Sequence, residues 1–189
     1  MKAQRNILRE HREWFFLLLL ALGLAWIFAS RVSSDMLVAG ALPQPYEGFP
    51  APDIELATAD GNMVKLSDLR GQPIILNFWA SWCPPCRAEM PAIQAVYQAY
   101  HNDGLMILAV NAANQDDLTD ANAFITGLQL SFPIYFDKTG NAQDAYKVSA
   151  LPTTFFIDRD GIIQSVVIGG PIAEALLNVK AQALLEEQP

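Results

Sequence analysis

Cysteine is almost absent from this 189-residue chain: two occur, and histidine is equally scarce, at His11 and His101. So few thiols exclude a scaffold stapled by several disulfides. A zinc site needs four ligands, usually Cys or His. His11 precedes a hydrophobic span, and His101 closes the helical pattern that Cys86 opens, about 15 residues or ~22 Å along it. Neither histidine is placed to join the thiols. Basic residues are thin too. Beyond residue 31 there are 7 Lys/Arg against 18 Asp/Glu, a net charge of −11. That balance argues against nucleic acid and anionic lipid as partners. Internal repeats and low-complexity tracts are missing.

What the chain does have is its two cysteines three apart, in Trp82-Cys83-Pro84-Pro85-Cys86, between an apolar run and a helical pattern. A pair at this spacing can open and close a small disulfide ring. A helix N-terminus favours the thiolate that such exchange requires. A purely structural clip is the poorer reading, because closing so short a loop removes little chain entropy. The paired prolines suit a first helical turn, yet each removes a backbone N–H that could face a sulfur anion. Modest thiolate stabilisation at Cys83 follows, and with it a reducing rather than strongly oxidising couple.

The second feature is Trp14 to Ser30, WFFLLLLALGLAWIFAS, which carries no charge. Seventeen residues of helix reach roughly 25 Å, the short end of a bilayer span. Lys2, Arg5, Arg9 and Arg12 precede it and Arg31 follows, so the positive-inside bias keeps the N-terminus cytoplasmic. A cleaved signal peptide is the alternative, with Ala39-Gly40-Ala41 as its site, and sends the remainder to the same side. The expected organisation is a cytoplasmic N-terminus (1–13), a transmembrane anchor (14–30), a linker (31–48) and an extracytoplasmic domain (49–189).

Within that domain, Asp53–Leu56 and Met63–Leu66 read as a hairpin around Asp60-Gly61, with a short turn over 67–70. The continuous apolar runs Pro73–Trp79 and Leu105–Val110 read as strands buried on both faces. Between them Met90, Ile93, Val96, Tyr97 and Tyr100 recur at helical spacing. A helix is expected over 116–128 with Leu118, Ala121, Ile125 and Leu128 inward, then a strand over 132–136 and a helix over 141–148. Strands at 153–157 and 162–168 and a helix at 172–185 follow. The alternation gives an α/β fold whose central mixed sheet is largely parallel and flanked by helices, with an antiparallel edge from the final hairpin.

The run Asn77-Phe78-Trp79-Ala80-Ser81-Trp82-Cys83-Pro84-Pro85-Cys86-Arg87-Ala88-Glu89-Met90-Pro91, at the junction of strand and helix, resembles the thioredoxin superfamily. It looks closest to the membrane-anchored TlpA/ResA-like branch. The likeness covers roughly residues 50–186 and includes an N-terminal β-hairpin extension and a central helix–strand insertion at about Gln115–Asp137. It implies a thioredoxin-like fold and a thiol–disulfide oxidoreductase that needs no metal or organic cofactor. By position, Cys83 is the exposed nucleophile, Cys86 the buried resolving thiol and Pro152, in Leu151-Pro152-Thr153, a cis-proline. Trp82, Pro84, Pro85, Leu151 and Pro152 then meet the client, while Asn77 and Trp79 support the site. Asn77 stands where ordinary thioredoxins carry a buried acid. Glu89 matches the branch's active-site acid and completes the catalytic set with the cysteines. On physics alone Glu89, one turn beyond Cys86, serves equally as a proton carrier or an exposed first-turn acid.

The resemblance further implies clients that are exported disulfide-bearing proteins, such as apocytochrome c, and a membrane electron donor of the CcdA/DsbD kind. The alternatives are a general disulfide oxidase or isomerase, a thiol peroxidase, and a redox-inert binding module. A peroxidase would want a threonine just before Cys83, which is absent. An inert module usually loses a cysteine, and both remain.

Overall fold

The structure, a computed structural model, describes residues 14, 18–26, 42–58 and 60–186. They belong to two compact units, Met1–Gly40 and Ala41–Pro189. In the first unit Trp14 and residues 18–26 are helical, with Trp14, Leu20 and Trp26 exposed. Among the described residues no helix is long and apolar enough to cross a membrane. The expected cytoplasmic segment, residues 15–17 and 27–30 of the expected span and residues 31–41 of the expected linker lie outside the described residues. The rest of that linker, 42–48, belongs to the second unit, where the Gly48 amide donates to the Ile163 carbonyl at 2.8 Å.

The second unit carries a seven-stranded sheet in the order β2-β1-β5-β4-β3-β6-β7. Its strands are β1 (Glu55–Thr58), β2 (Met63–Lys65), β3 (Ile74–Trp79), β4 (Met106–Asn111), β5 (Ile134–Phe136), β6 (Thr153–Ile157) and β7 (Ile163–Ile168). The helices are α1 (Pro84–Tyr100), α2 (Leu118–Gly127), α3 (Asn141–Ala145) and α4 (Glu174–Glu186). The N-terminal hairpin is present as β1–β2, followed by a 3-10 turn at Leu66–Leu69. The central insertion supplies α2 and β5. β5 pairs parallel with β4 and antiparallel with β1, which joins the hairpin to the central sheet.

Every residue of β3 is buried, as a continuous apolar run requires when both faces are covered. Its side chains alternate between two cores. Ile75 and Trp79 pack with Met90, Ile93 and Val96 of α1, Phe124 of α2 and Leu177 of α4. Ile74, Leu76 and Phe78 pack with Leu108, Tyr146 and Phe155 on the opposite side. Asn77 shares a face with Ile75 and Trp79, so a polar residue in an apolar strand is turned toward α1.

The sheet is mixed as expected, but parallel pairing is confined to β3-β4-β5, and β6 runs antiparallel to β3. The reason is helix length. α3 holds five residues, ~8 Å of rise, and cannot return the chain along a strand of ~20 Å. β6 therefore starts at the end where β5 stops. α2 also differs: it buries Ala121 and Phe124, while Leu118 and Leu128 are exposed. Its N-cap is Asp117, whose carboxylate accepts from the amides of Thr119 and Asp120.

Candidate active site

β3 ends at Trp79, and a tight turn through Ser81 and Trp82 delivers the cysteines to the start of α1. Cys83 is the N-cap, and its Sγ accepts from the Cys86 amide at 3.3 Å. Pro84 and Pro85 fill the first two helical positions, so the third amide alone among the first-turn N–H groups can reach this sulfur. Cys83 and Cys86 are joined as a disulfide with Cα atoms 5.3 Å apart.

Cys86 is fully buried, and Cys83 is only 3% exposed. The expected contrast between an exposed and a buried thiol is thus nearly closed in the oxidised protein. Cys83 packs into the apolar cluster that holds Trp79, Met90 and Ile172. Trp82 is 55% exposed, its indole N–H bonded to the Gln115 carbonyl at 3.0 Å. Pro84 is exposed and Pro85 half-buried.

The Leu151–Pro152 peptide bond is cis. Pro152 is buried and its carbonyl accepts from the Gly169 amide at 2.7 Å, while Leu151 is half-buried against both cores. A second cis bond, Gly170–Pro171, follows β7. The sequence reading did not single it out.

Glu89 is 1% exposed, so the reading as an exposed first-turn acid is wrong. Its Oε1 accepts from Asn77 Nδ2 at 2.8 Å and its Oε2 from the Ile172 amide at 3.1 Å. Asn77 Nδ2 also donates to Thr154 Oγ1 at 2.9 Å, whereas Asn77 Oδ1 has no partner. Burial pushes the Glu89 carboxyl above its ordinary value of 4.5, and the bonds from Ile172 and Asn77 pull it back only in part. Trp79 is buried against Phe124, its indole N–H without a partner.

Sequence reasoning missed Thr154, Ile172, Gly170 and Asp116. Asp116 accepts from the Ser81 amide and hydroxyl, each at 2.6 Å, and from Asn111 Nδ2 at 2.7 Å. It holds the turn just before Cys83. Arg87 adds a bond to the Ser81 carbonyl at 3.1 Å and lies over the Phe124 ring. These residues carry no motif; their roles appear only when loops distant in sequence meet.

Residues 48–166 match the AhpC/TSA family. The thiol-disulfide oxidoreductase ResA of Geobacillus thermodenitrificans is 36% identical over 168 residues, covering 89% of this chain and 90% of that protein. ResA of Oceanobacillus iheyensis is 42% identical over 126 residues, 65% of each chain. Among solved structures, StoA from Bacillus subtilis superposes with a TM-score of 0.60 at 32% identity, covering 68% of this chain and 96% of that one. A secreted Mycobacterium tuberculosis disulfide oxidoreductase gives 0.63 at 25% identity, covering 69% and 96%. With a Cys83–Cys86 disulfide capping α1 and a cis-proline before β6, this chain belongs to the AhpC/TSA family, among its ResA-like thiol–disulfide oxidoreductases.

Proposed function

We propose that the chain is a membrane-tethered reductase of the extracytoplasmic space that returns exported proteins, apocytochrome c among them, to the dithiol state. The observation that carries the direction is the single amide on the Cys83 sulfur. A strong oxidant stabilises its nucleophilic thiolate, and here two prolines withhold the N–H groups that could do so.

In the reduced protein the Cys83 thiolate attacks one sulfur of a client disulfide, and the client's other sulfur leaves as a thiolate. The Glu89 carboxylate takes the proton of Cys86. The Cys86 thiolate then attacks the Cys83 sulfur of the mixed disulfide and expels the second client sulfur. Two electrons pass to the client, two protons complete its thiols, and the Cys83–Cys86 disulfide remains. A membrane donor of the CcdA/DsbD kind restores the dithiol. The uncharged run at Trp14–Ser30, with basic residues before it, supports the tether and its orientation.

The test is the reduction potential of the full chain in detergent, with insulin reduction as the activity. A reductase gives a potential well below that of DsbA, and Cys83→Ser abolishes turnover. A value near about −120 mV, that of a dedicated oxidant, overturns the direction. Cys86→Ala in cells should accumulate mixed disulfides that name the clients. Resistance to alkaline extraction together with cleavage of the domain by external protease checks the anchor.

A further inference from the structure

The loop after β7 meets the active site at two points. The Gly169 amide holds the Pro152 carbonyl at 2.7 Å, and the Ile172 amide holds Glu89 Oε2 at 3.1 Å. Gly170 lies between them. A Cβ at this position would stand 2.7 Å from Pro152 Cγ and 2.8 Å from Glu89 Oε2, inside the contact distance for both. The φ of Gly170 lies outside the left-handed region, unlike that of Gly169 at +81°, so space rather than backbone conformation excludes a side chain. Neither obstacle yields easily. Pro152 is a buried ring, and Glu89 is held at both oxygens.

We propose that Gly170 is a positioning residue for Glu89: its missing side chain lets one loop lie against Pro152 and the Glu89 carboxylate together, so that the Ile172 amide reaches Oε2. The inference rests on the proton-carrying role given to Glu89 above. The groups against Glu89 are Asn77 of β3, itself bonded to Thr154 of β6, the Ile172 amide and the Gly170 backbone with Pro152 beside it, and Cys86 stands three residues earlier on the same helix. Of these only Cys86 titrates, and only when the disulfide is open. No charged side chain offsets the burial of Glu89; only the bonds from the Ile172 amide and from Asn77 do. A methyl group at position 170 must push the carboxylate off that amide or lift the loop; both remove a bond to the charged form.

The experiment follows the Glu89 carboxyl by NMR through a pH titration of the oxidised full chain in detergent micelles, assigned by its loss in Glu89→Gln. Gly170→Ala should move the midpoint up by about one pH unit, a tenfold change in proton affinity. The low-pH limb of insulin reduction should shift by the same amount, with the wild-type rate approached at high pH. Ile172→Ala keeps the amide but loosens the loop, and should lower thermal stability without shifting the midpoint. In wild type the Ile172 amide proton should titrate with the Glu89 midpoint, a readout that needs no variant to fold. An unshifted midpoint in folded Gly170→Ala, an Ile172 amide silent to the titration, or a rate lowered by one factor at every pH overturns the inference. Absence of insulin reduction in wild type would instead overturn the reductase reading and leave the NMR titration to decide the role of Gly170.

Discussion

Two carboxylates brace the active-site region, Asp116 through the turn before Cys83 and Glu89 through β3 and the loop after β7, and water treats them differently. Asp116 sits half-buried at the rim and accepts three hydrogen bonds of 2.6–2.7 Å, all from the turn or from β4 beside it. Glu89 lies on α1 three residues after Cys86, 1% exposed, with two longer bonds at 2.8 and 3.1 Å. Asp116 keeps part of its hydration and is bound on every side by groups it must hold still, the arrangement of a clamp. Glu89 has lost its water, and burial outweighs its two donors, so its proton is held more tightly than in solution. The same functional group becomes a fastener in one place and a proton carrier in the other.

The contrast breaks most sharply with Glu89→Gln. Loss of a general acid–base group costs about 10²-fold or more in rate, and turnover at neutral pH should fall by at least about that. Stability should not fall with it. Asn77 Oδ1 is unpartnered, so the Asn77 amide can rotate and accept from the new Gln NH2 while the Gln oxygen keeps the Ile172 amide. Steady-state kinetics and urea unfolding of the same sample check both halves.

Asp116→Ala should do the reverse. It strands the Ser81 amide and the Asn111 amide group, and Asn111 Oδ1 already lacks a partner. A loss of about 2 kcal/mol in urea unfolding is expected, with a rate change that is the same at every pH. Asp116→Asn should recover most of the stability. Its oxygen can keep the Ser81 and Asn111 donors while its NH2 donates to the Ser81 hydroxyl. Smaller again is Trp82→Phe, which deletes one exposed bond to Gln115 and should cost about 0.5–1 kcal/mol, read as a lower thermal midpoint.

How much of this could be read from residues depends on how far each feature reaches along the chain. β3 and α1 were legible because an unbroken apolar run and a 3.6-residue period are local signals. The cysteines and Pro152 carried a motif. Glu89 was visible as an acid one helical turn from Cys86, but its burial was not, because the Gly170 backbone and the Ile172 amide that lie against it come from more than eighty residues along the chain. Asn77 stood out as the one polar residue in an apolar strand, and the face it occupies follows from strand period, yet its bond to Glu89 needed the register of β3 under α1. The direction of β6 does not hang on whether α3 holds five residues or eight: ~8 and ~12 Å of rise both fall short of a strand of ~20 Å, and what periodicity left open was only where the helix ends. Asp116 looked like the start of a helix. It is one residue short of the cap, and that displacement frees its carboxylate to cross to Ser81.

The finest separation of the two carboxylates is the pH dependence of stability in the oxidised protein. Glu89 has a folded-state pKa raised above 4.5, so between that value and its native titration the folded chain binds more protons than the unfolded one. Stability from this group is therefore fully present below 4.5 and is lost as pH rises through the native pKa. Asp60 and Asp117 are shifted down and slope the other way at lower pH, so the raw wild-type curve mixes the contributions. Subtracting the Glu89→Gln curve isolates the glutamate. The difference, wild type minus variant, should decline as pH rises from about 4.5 and flatten once Glu89 is ionised in both states. The same subtraction with Gly170→Ala as parent should carry the decline to higher pH, because the carboxylate would then ionise without the Ile172 amide. A difference curve that rises with pH would mean that the two hydrogen bonds outweigh burial, and Glu89 would then be a clamp like Asp116.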